Sequence, residues 1–321
     1  MGRPGGLRRG TIGRLMTREP LLADHPDDAE TSLVRVAAVV PGTAEEVWWS
    51  VATGAGIAGW YVPARVEPRV GGAVVTEHGP FGHSRGVVTA YDPPHRFAWE
   101  EREWGTDVPP WRTEILVDEH APASTDVDSS TDEDDPGPRS GDRCDEDPGA
   151  RGERVPVSVC TVRLTSGVTE DGPTWSPAVA ATEEGWAAGM RNLRLARTHF
   201  PGEPAGGFMV VRGVRASRSG AWATLLAAIG ADGARPGDAV RDVAGAPPLA
   251  GVVEAVGPTS LLLRVSEPAP GLLELSAHDF ADPSLLVHAH LFGPAGPALA
   301  EAARPRWDAW LHARFPGPRP G

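Results

Sequence analysis

Residues 86–100 read GVVTAYDPPHRFAWE, and a paler version, GVVEAVGPTSLLLRV, returns at residues 251–265. The first copy decides the local fold. Pro93 and Pro94 cannot donate to a strand ladder, so the chain must turn there, and the flanking runs 86–91 and 96–101 pair as a β-hairpin. Gly86, Ala90 and Pro93 of the first copy recur as Gly251, Ala255 and Pro258 in the second, which has lost the aromatic residues.

Working outward, residues 33–40 alternate, with Val34, Val36, Ala38 and Val40 on one face, as in a half-buried strand. The following PGTAEEVWWSVATG carries a capping box, Thr43 with Glu46, and an apolar stripe of Val47, Trp48 and Val51, which predicts a short helix ending near Gly54 or Gly56. A strand is predicted at 73–77. Another spans 111–117, with Trp111, Thr113, Ile115 and Val117 on one side. Residues 118–156 hold many acids and almost no large apolar side chain, so this reads as a disordered insertion between strands, and the sheet resumes at 157–164. It lacks the alternation and distal Glu of an EF-hand loop. Within 177–200, Trp186, Met190, Leu193 and Phe200 recur at near-helical spacing. Only this helix is large enough to cover the one apolar face of an antiparallel sheet, so the fold class is α+β, a sheet curled around a long C-terminal helix.

The second half repeats this order. A strand at 209–214, a Trp222-bearing helix at 222–229, the 251–265 stretch, strands at 272–278 and 285–292, and a helix at 304–315 with Pro305 in its first turn outline a shorter, degenerate copy. The expected organisation is a disordered extension at 1–31, a domain at 32–202 with its insertion at 118–156, and a second domain at 207–316. The extension is basic but lacks an apolar core, so it is not expected to be a secretory signal, and Met16 is a candidate start.

The chain has 321 residues, a net charge of −13 and only Arg as its basic residues, with no Arg-rich face evident, which argues against sequence-independent nucleic-acid binding. Cys144 and Cys160 sit in unlike contexts and form no disulfide framework, which suits a reducing cytoplasm. No apolar run reaches the roughly 18–20 residues of a membrane span. P-loop, dinucleotide, CxxC and Ser-His-Asp patterns are absent.

His288 and His290 form an H-x-H pair, but Leu285, Val287, Ala289 and Leu291 take the core face, so both imidazoles are expected to face solvent without binding metal. His78 and His83 flank a turn read as surface, and Glu100, Glu101, Arg102 and Glu103 read as charge covering a strand end. The 11 Trp against 2 Tyr carry more information. Period-2 alternation puts Phe97, Trp99, Trp111 and Ile115 on one sheet face, and helical spacing turns Trp186, Met190 and Leu193 toward it. An apolar cleft is expected between them, with Trp60 at its mouth and indole N–H groups to orient a guest.

Val47-Trp48, Trp60, Gly71-Gly72, Gly86-Val87-Val88, Pro93-Pro94, Trp99, Gly185-Trp186 and Leu193 resemble, in order and spacing, the Aha1-like (activator of Hsp90 ATPase homologue) branch of the START-like, or SRPBCC, superfamily. The resemblance covers residues 32–202 and implies a helix-grip fold. That superfamily includes co-chaperones, lipid carriers, polyketide cyclases and many bacterial proteins. The insertion at 118–156 departs from its pattern. The resulting expectation is a cytoplasmic, bacterial binding protein for a small apolar or amphipathic molecule, without cofactor or metal and with no catalytic residue assigned. Docking on a chaperone is the alternative partner, and cyclase or hydrolase chemistry in the same cleft is the third reading.

Overall fold

The computed structural model describes residues 33–102, 110–120, 158–168, 176–279 and 282–317. The expected extension at 1–31 and the insertion from residue 121 onward lie outside these residues. In chain order the elements are β1 (Leu33–Pro41), α1 (Ala44–Ala52), α2 (Gly54–Ile57), β2 (Ala64–Val66), β3 (Ala73–Glu77), β4 (His83–Asp92), β5 (Arg96–Glu101), β6 (Trp111–His120), β7 (Val159–Val168) and α3 (Ser176–His199). They are followed by β8 (Ala205–Gly213), α4 (Arg218–Ala228), β9 (Ala239–Val240), β10 (Ala250–Gly257), β11 (Ser260–Glu267), β12 (Gly271–Asp279), β13 (Pro283–Phe292) and α5 (Gly296–Arg314).

Two antiparallel sheets result. The first runs β1-β7-β6-β5-β4-β3-β2 and the second β8-β13-β12-β11-β10-β9. In each, the opening strand pairs with the last, a helix follows the opening strand, and a long helix closes the unit. This is an α+β, helix-grip architecture in which α3 lies along β1 and α5 along β8.

The two copies of the opening stretch become β4–β5 and β10–β11, and each hairpin carries a bulge at the same place. Register slips between Val88 and Ala90 in the first and between Val253 and Ala255 in the second. A bulge bends its strand and raises the local twist, which helps a sheet curl around a helix. The glycines match as well: a Cβ on Gly86 would lie 2.9 Å from Glu100 O, and one on Gly251 would lie 2.4 Å from Arg264 O. Both hairpins therefore exclude a side chain at that point.

Thr43 caps α1 as its sequence predicts, with Thr43 Oγ1 accepting from Glu46 N at 3.3 Å and Glu46 Oε2 accepting from Thr43 N at 3.1 Å. The same carboxylate receives Arg197 Nη2 at 2.9 Å, and Arg197 Nε donates to Pro41 O at 3.2 Å. This buried guanidinium latches the end of α3 to the start of α1. Arg197→Met, which keeps much of the apolar stem, is expected to cost about 1–2 kcal/mol, discounted because Glu46 remains half-exposed; urea unfolding checks it.

Three expectations need correction. Asp118, Glu119 and His120 belong to β6 and pair with Thr161, Cys160 and Val159, so the sheet extends past the predicted start of the insertion. α5 begins at Gly296, with Pro297 in its first turn, and contains Pro305 internally. The Ala-rich run before Arg304 is helical because strong helix formers follow the starting proline. His288 and His290 do not face solvent. The outer face of the second sheet is covered by the N-terminal half, where Leu195, Ala196 and Phe200 pack on Leu262, Leu272 and Phe292.

Candidate functional site

Alternation along five strands directs one face of the first sheet toward α1 and α3. Val74, Val88, Phe97, Trp99, Ile115, Val117, Val162 and Leu164 form its apolar part together with Trp60, Trp186, Met190 and Leu193. Seven of the eight predicted cleft residues, Trp60, Phe97, Trp99, Ile115, Trp186, Met190 and Leu193, thus share one core. Trp111 is half-buried at its edge. Trp60 lies deeper than a position at the mouth: it is 2 % exposed, and its Nε1 donates to Ser50 O at 2.9 Å.

The rings touch one another. Tyr61 stacks on Trp186 with centroids 4.4 Å apart, Trp60 lies 6.3 Å from Trp186, and Phe97 lies 5.2 Å from Trp99. Two cavities lie outside the ring contacts, the first of them against the back of Trp60 and Leu193. One of about 20 Å³, near the size of a single water, is bordered by Trp49, Ser50, Trp60, Leu193, Ala196 and Phe292. A groove of about 200 Å³ is lined by Pro80, Met209, Val211, Arg304, Pro305 and Asp308.

At one end the same inner face becomes polar. Register places Thr76 opposite Ser84, Trp99 opposite Thr113 and Thr113 opposite Ser166, with Glu101 opposite Gly86. All five polar side chains are buried. Their hydrogen bonds run both across and along the strands. Thr76 Oγ1 meets Ser84 Oγ at 2.8 Å and His78 Nε2 at 2.9 Å. Trp99 Nε1 donates to Glu101 Oε1 at 3.0 Å. Trp111 Nε1 donates to Ser166 Oγ at 2.9 Å, and the Ser166 and Thr113 hydroxyls hydrogen-bond each other at 2.8 Å.

Tyr61 and His78 border this stripe, edge to face at 5.7 Å. Burial pushes the Tyr61 phenol well up and the Glu101 charge pushes it further, so the phenol stays protonated. Burial lowers His78, and Glu101 partly offsets the shift. His78 and Glu101 therefore depart from the surface roles expected of them: His78 is half-buried and bonded, and Glu101 follows the inward parity of Phe97 and Trp99. Sequence reasoning missed Tyr61, Thr76, Ser84 and Ser166. The available signal was parity, because Glu101 continues the inward series of Phe97 and Trp99, and Thr113 stands between inward Trp111 and Ile115.

This is a helix-grip unit whose enclosed face is apolar along most of its length and carries hydroxyls, one carboxylate, one imidazole and one phenol at one end. Among the described residues, no three His, Cys, Asp or Glu side chains group as a metal site, and no helix is long and apolar enough to cross a membrane. No protein-family model matches the chain, and no curated protein does. Solved structures similar to it include DynU16, a protein of the dynemicin biosynthetic locus (16 % identity, 89 % of this chain and 96 % of that one, TM-score 0.37). The di-domain ARO/CYC BexL of the BE-7585A biosynthetic pathway is similar at 11 % identity over 90 % of this chain and 99 % of that one, with a TM-score of 0.36. The Aha1 dimer from Colwellia psychrerythraea is similar at 12 % identity over 53 % of this chain and 98 % of that one, with a TM-score of 0.34.

Proposed function

We propose that the chain is a tandem START-like (SRPBCC) binding protein. Its first domain, residues 32–202, takes a small amphipathic molecule between the sheet and α3, and residues 207–316 are a second, degenerate copy. The observation that carries the reading is the buried polar stripe at one end of an apolar face. A core built for stability alone gains little from hydroxyls and a carboxylate taken out of water, whereas a guest with an apolar body and one polar end would use both parts. The body would lie among Phe97, Trp99, Ile115, Trp186, Met190 and Leu193, with Trp60 and Trp111 at its borders, and the polar end would meet Thr113, Ser166 and Glu101. Because the rings touch, entry requires Trp186 to part from Tyr61.

Native mass spectrometry of the purified chain is expected to show a co-purified small molecule, and the neutral dye Nile red is expected to bind saturably. Thr113→Val removes one hydroxyl at nearly constant volume. It is expected to weaken a hydroxyl-bearing guest about 5- to 10-fold, the worth of one hydrogen bond, and to leave Nile red unchanged. A folded wild-type chain that carries no adduct and takes up no dye ends this reading. The grouping of Glu101 with Tyr61 and His78 favours a second reading, acid–base chemistry on the same guest; Glu101→Gln would then abolish turnover while binding persisted.

A further inference from the structure

β13 presents two imidazoles to the N-terminal half. His290, 1 % exposed, bonds through Nδ1 to Ala58 O at 2.9 Å. His288, whose ring centroid is 4.5 Å from that of His290, lies beside the backbone of Tyr61. The Nε2 atoms of both rings are enclosed without a partner. One strand residue thus holds the start of the four-residue turn 58–61 and its neighbour backs the end, and this turn carries Trp60 and Tyr61, the two rings set against Trp186. The turn fits closely: a Cβ on Gly59 would lie 3.3 Å from the Phe292 ring, and one on Gly207 would lie 3.5 Å from Ala58 O.

Neutral imidazoles suit this site, since Nδ1–H of His290 donates to a carbonyl and Nε2 of each ring keeps a bare lone pair. A protonated one would bury a charge and an unanswered N–H donor. The groups facing the pair supply little compensation. His78, from the N-terminal half, adds like charge to His288 when protonated. Tyr61 presents its backbone. On the neighbouring strand β12, Leu272 stands opposite His290 and Glu274 opposite His288. Burial pushes the Glu274 carboxyl up and Arg191 of α3 partly offsets this, so falling pH neutralises this acid; Glu101 acts on His78 and Tyr61 rather than on the pair.

We propose that the C-terminal half clamps the wall of the N-terminal cleft through His288 and His290, and that acid releases the clamp, because these imidazoles accept protons only once the contact has opened. The regulation bears on the proposed binding cleft, whereas the contact exists with or without a guest. Burial holds His290 down to about 4 and His288 well below its ordinary 6.5, with His290 adding to the shift on His288. The sign follows from the open state binding more protons than the closed one. The contact is fully present above pH 6.5 and weakens as pH falls toward about 4, its opening constant rising up to about tenfold per pH unit for each imidazole.

The test uses the ligand-free full chain. Near-ultraviolet circular dichroism, which reports tryptophan packing, is expected to change between pH 6.5 and about 4 while the far-ultraviolet signal persists. Asn places an amide at the position of Nδ1 and does not titrate, so His288→Asn with His290→Asn is expected to abolish this transition. His78→Asn is expected to retain it. The clamp is overturned if the wild-type near-ultraviolet signal stays flat until the far-ultraviolet signal is lost, if the transition survives in the double variant, or if His78→Asn alone removes it. Should the double variant not fold, imidazole proton resonances of the wild type decide: His288 and His290 must titrate with the near-ultraviolet change, and titration independent of it refutes the proposal. Nile red affinity at neutral pH tests the binding reading separately, so either can fail alone.

Discussion

Trp186→Ala is expected to lower the unfolding free energy by about 3–5 kcal/mol, the range for truncating a buried large aromatic to alanine. The site has little room to collapse. Trp186 is 5 % exposed, it stacks on Tyr61, and Trp60 behind it is fixed by its bond to Ser50 O. Trp60 also rests against α3 at Gly189, where a Cβ would come within 3.3 Å of the ring. Trp186→Phe keeps an aromatic surface and should lose roughly half as much. Urea denaturation of both variants checks the pair, and a cost below about 1.5 kcal/mol for the alanine would mean that the ring sits on a yielding surface rather than in a packed core.

The second large effect concerns the contact between the halves. Phe292 stacks on Phe200 with centroids 4.3 Å apart and planes 14° from parallel, within a small cluster that includes Leu195, Ala196, Leu262 and Leu272. Phe292→Ala is expected to weaken this contact by about 3–5 kcal/mol. Two proposed domains that share such a contact should melt together, and the variant should melt in two steps. Scanning calorimetry reads this directly. Two separate transitions in the wild type would show that the halves are uncoupled from the outset.

Most of the architecture is written in short-range signals. Alternation at Val34, Val36, Ala38 and Val40 gave an inward face that is buried as expected, and the prolines at 93 and 94 mark a hairpin turn. Thr43 and Glu46 form the predicted box because capping depends only on residues three apart. What was not legible depends on contacts distant in sequence. The parity of His288 and His290 was read correctly as opposite to Val287 and Ala289, but period-2 alternation says nothing about what covers the other face. That cover comes from residues such as Ala58, more than two hundred positions away. Glu101 reads in sequence as one of a charged run with Glu100 and Arg102, whereas its parity assigns it to the aromatic row, and position in the pleat prevails over charge in sequence. The ring contacts inside the cleft follow from side-chain packing, which spacing alone cannot fix.

The halves are joined by a very short connection, residues 200–204, between the end of α3 and the start of β8, itself tied down where Phe200 N meets Ala196 O and Gly293 N meets Pro204 O. A fully extended connection of that length reaches only about 3.3–3.6 Å per residue. Opened halves therefore stay confined to a small shared volume, and each sees the other at an effective concentration in the millimolar range or above. Separation is then a unimolecular event that reverses without dilution, and reclosure depends on this leash rather than on how much protein is present.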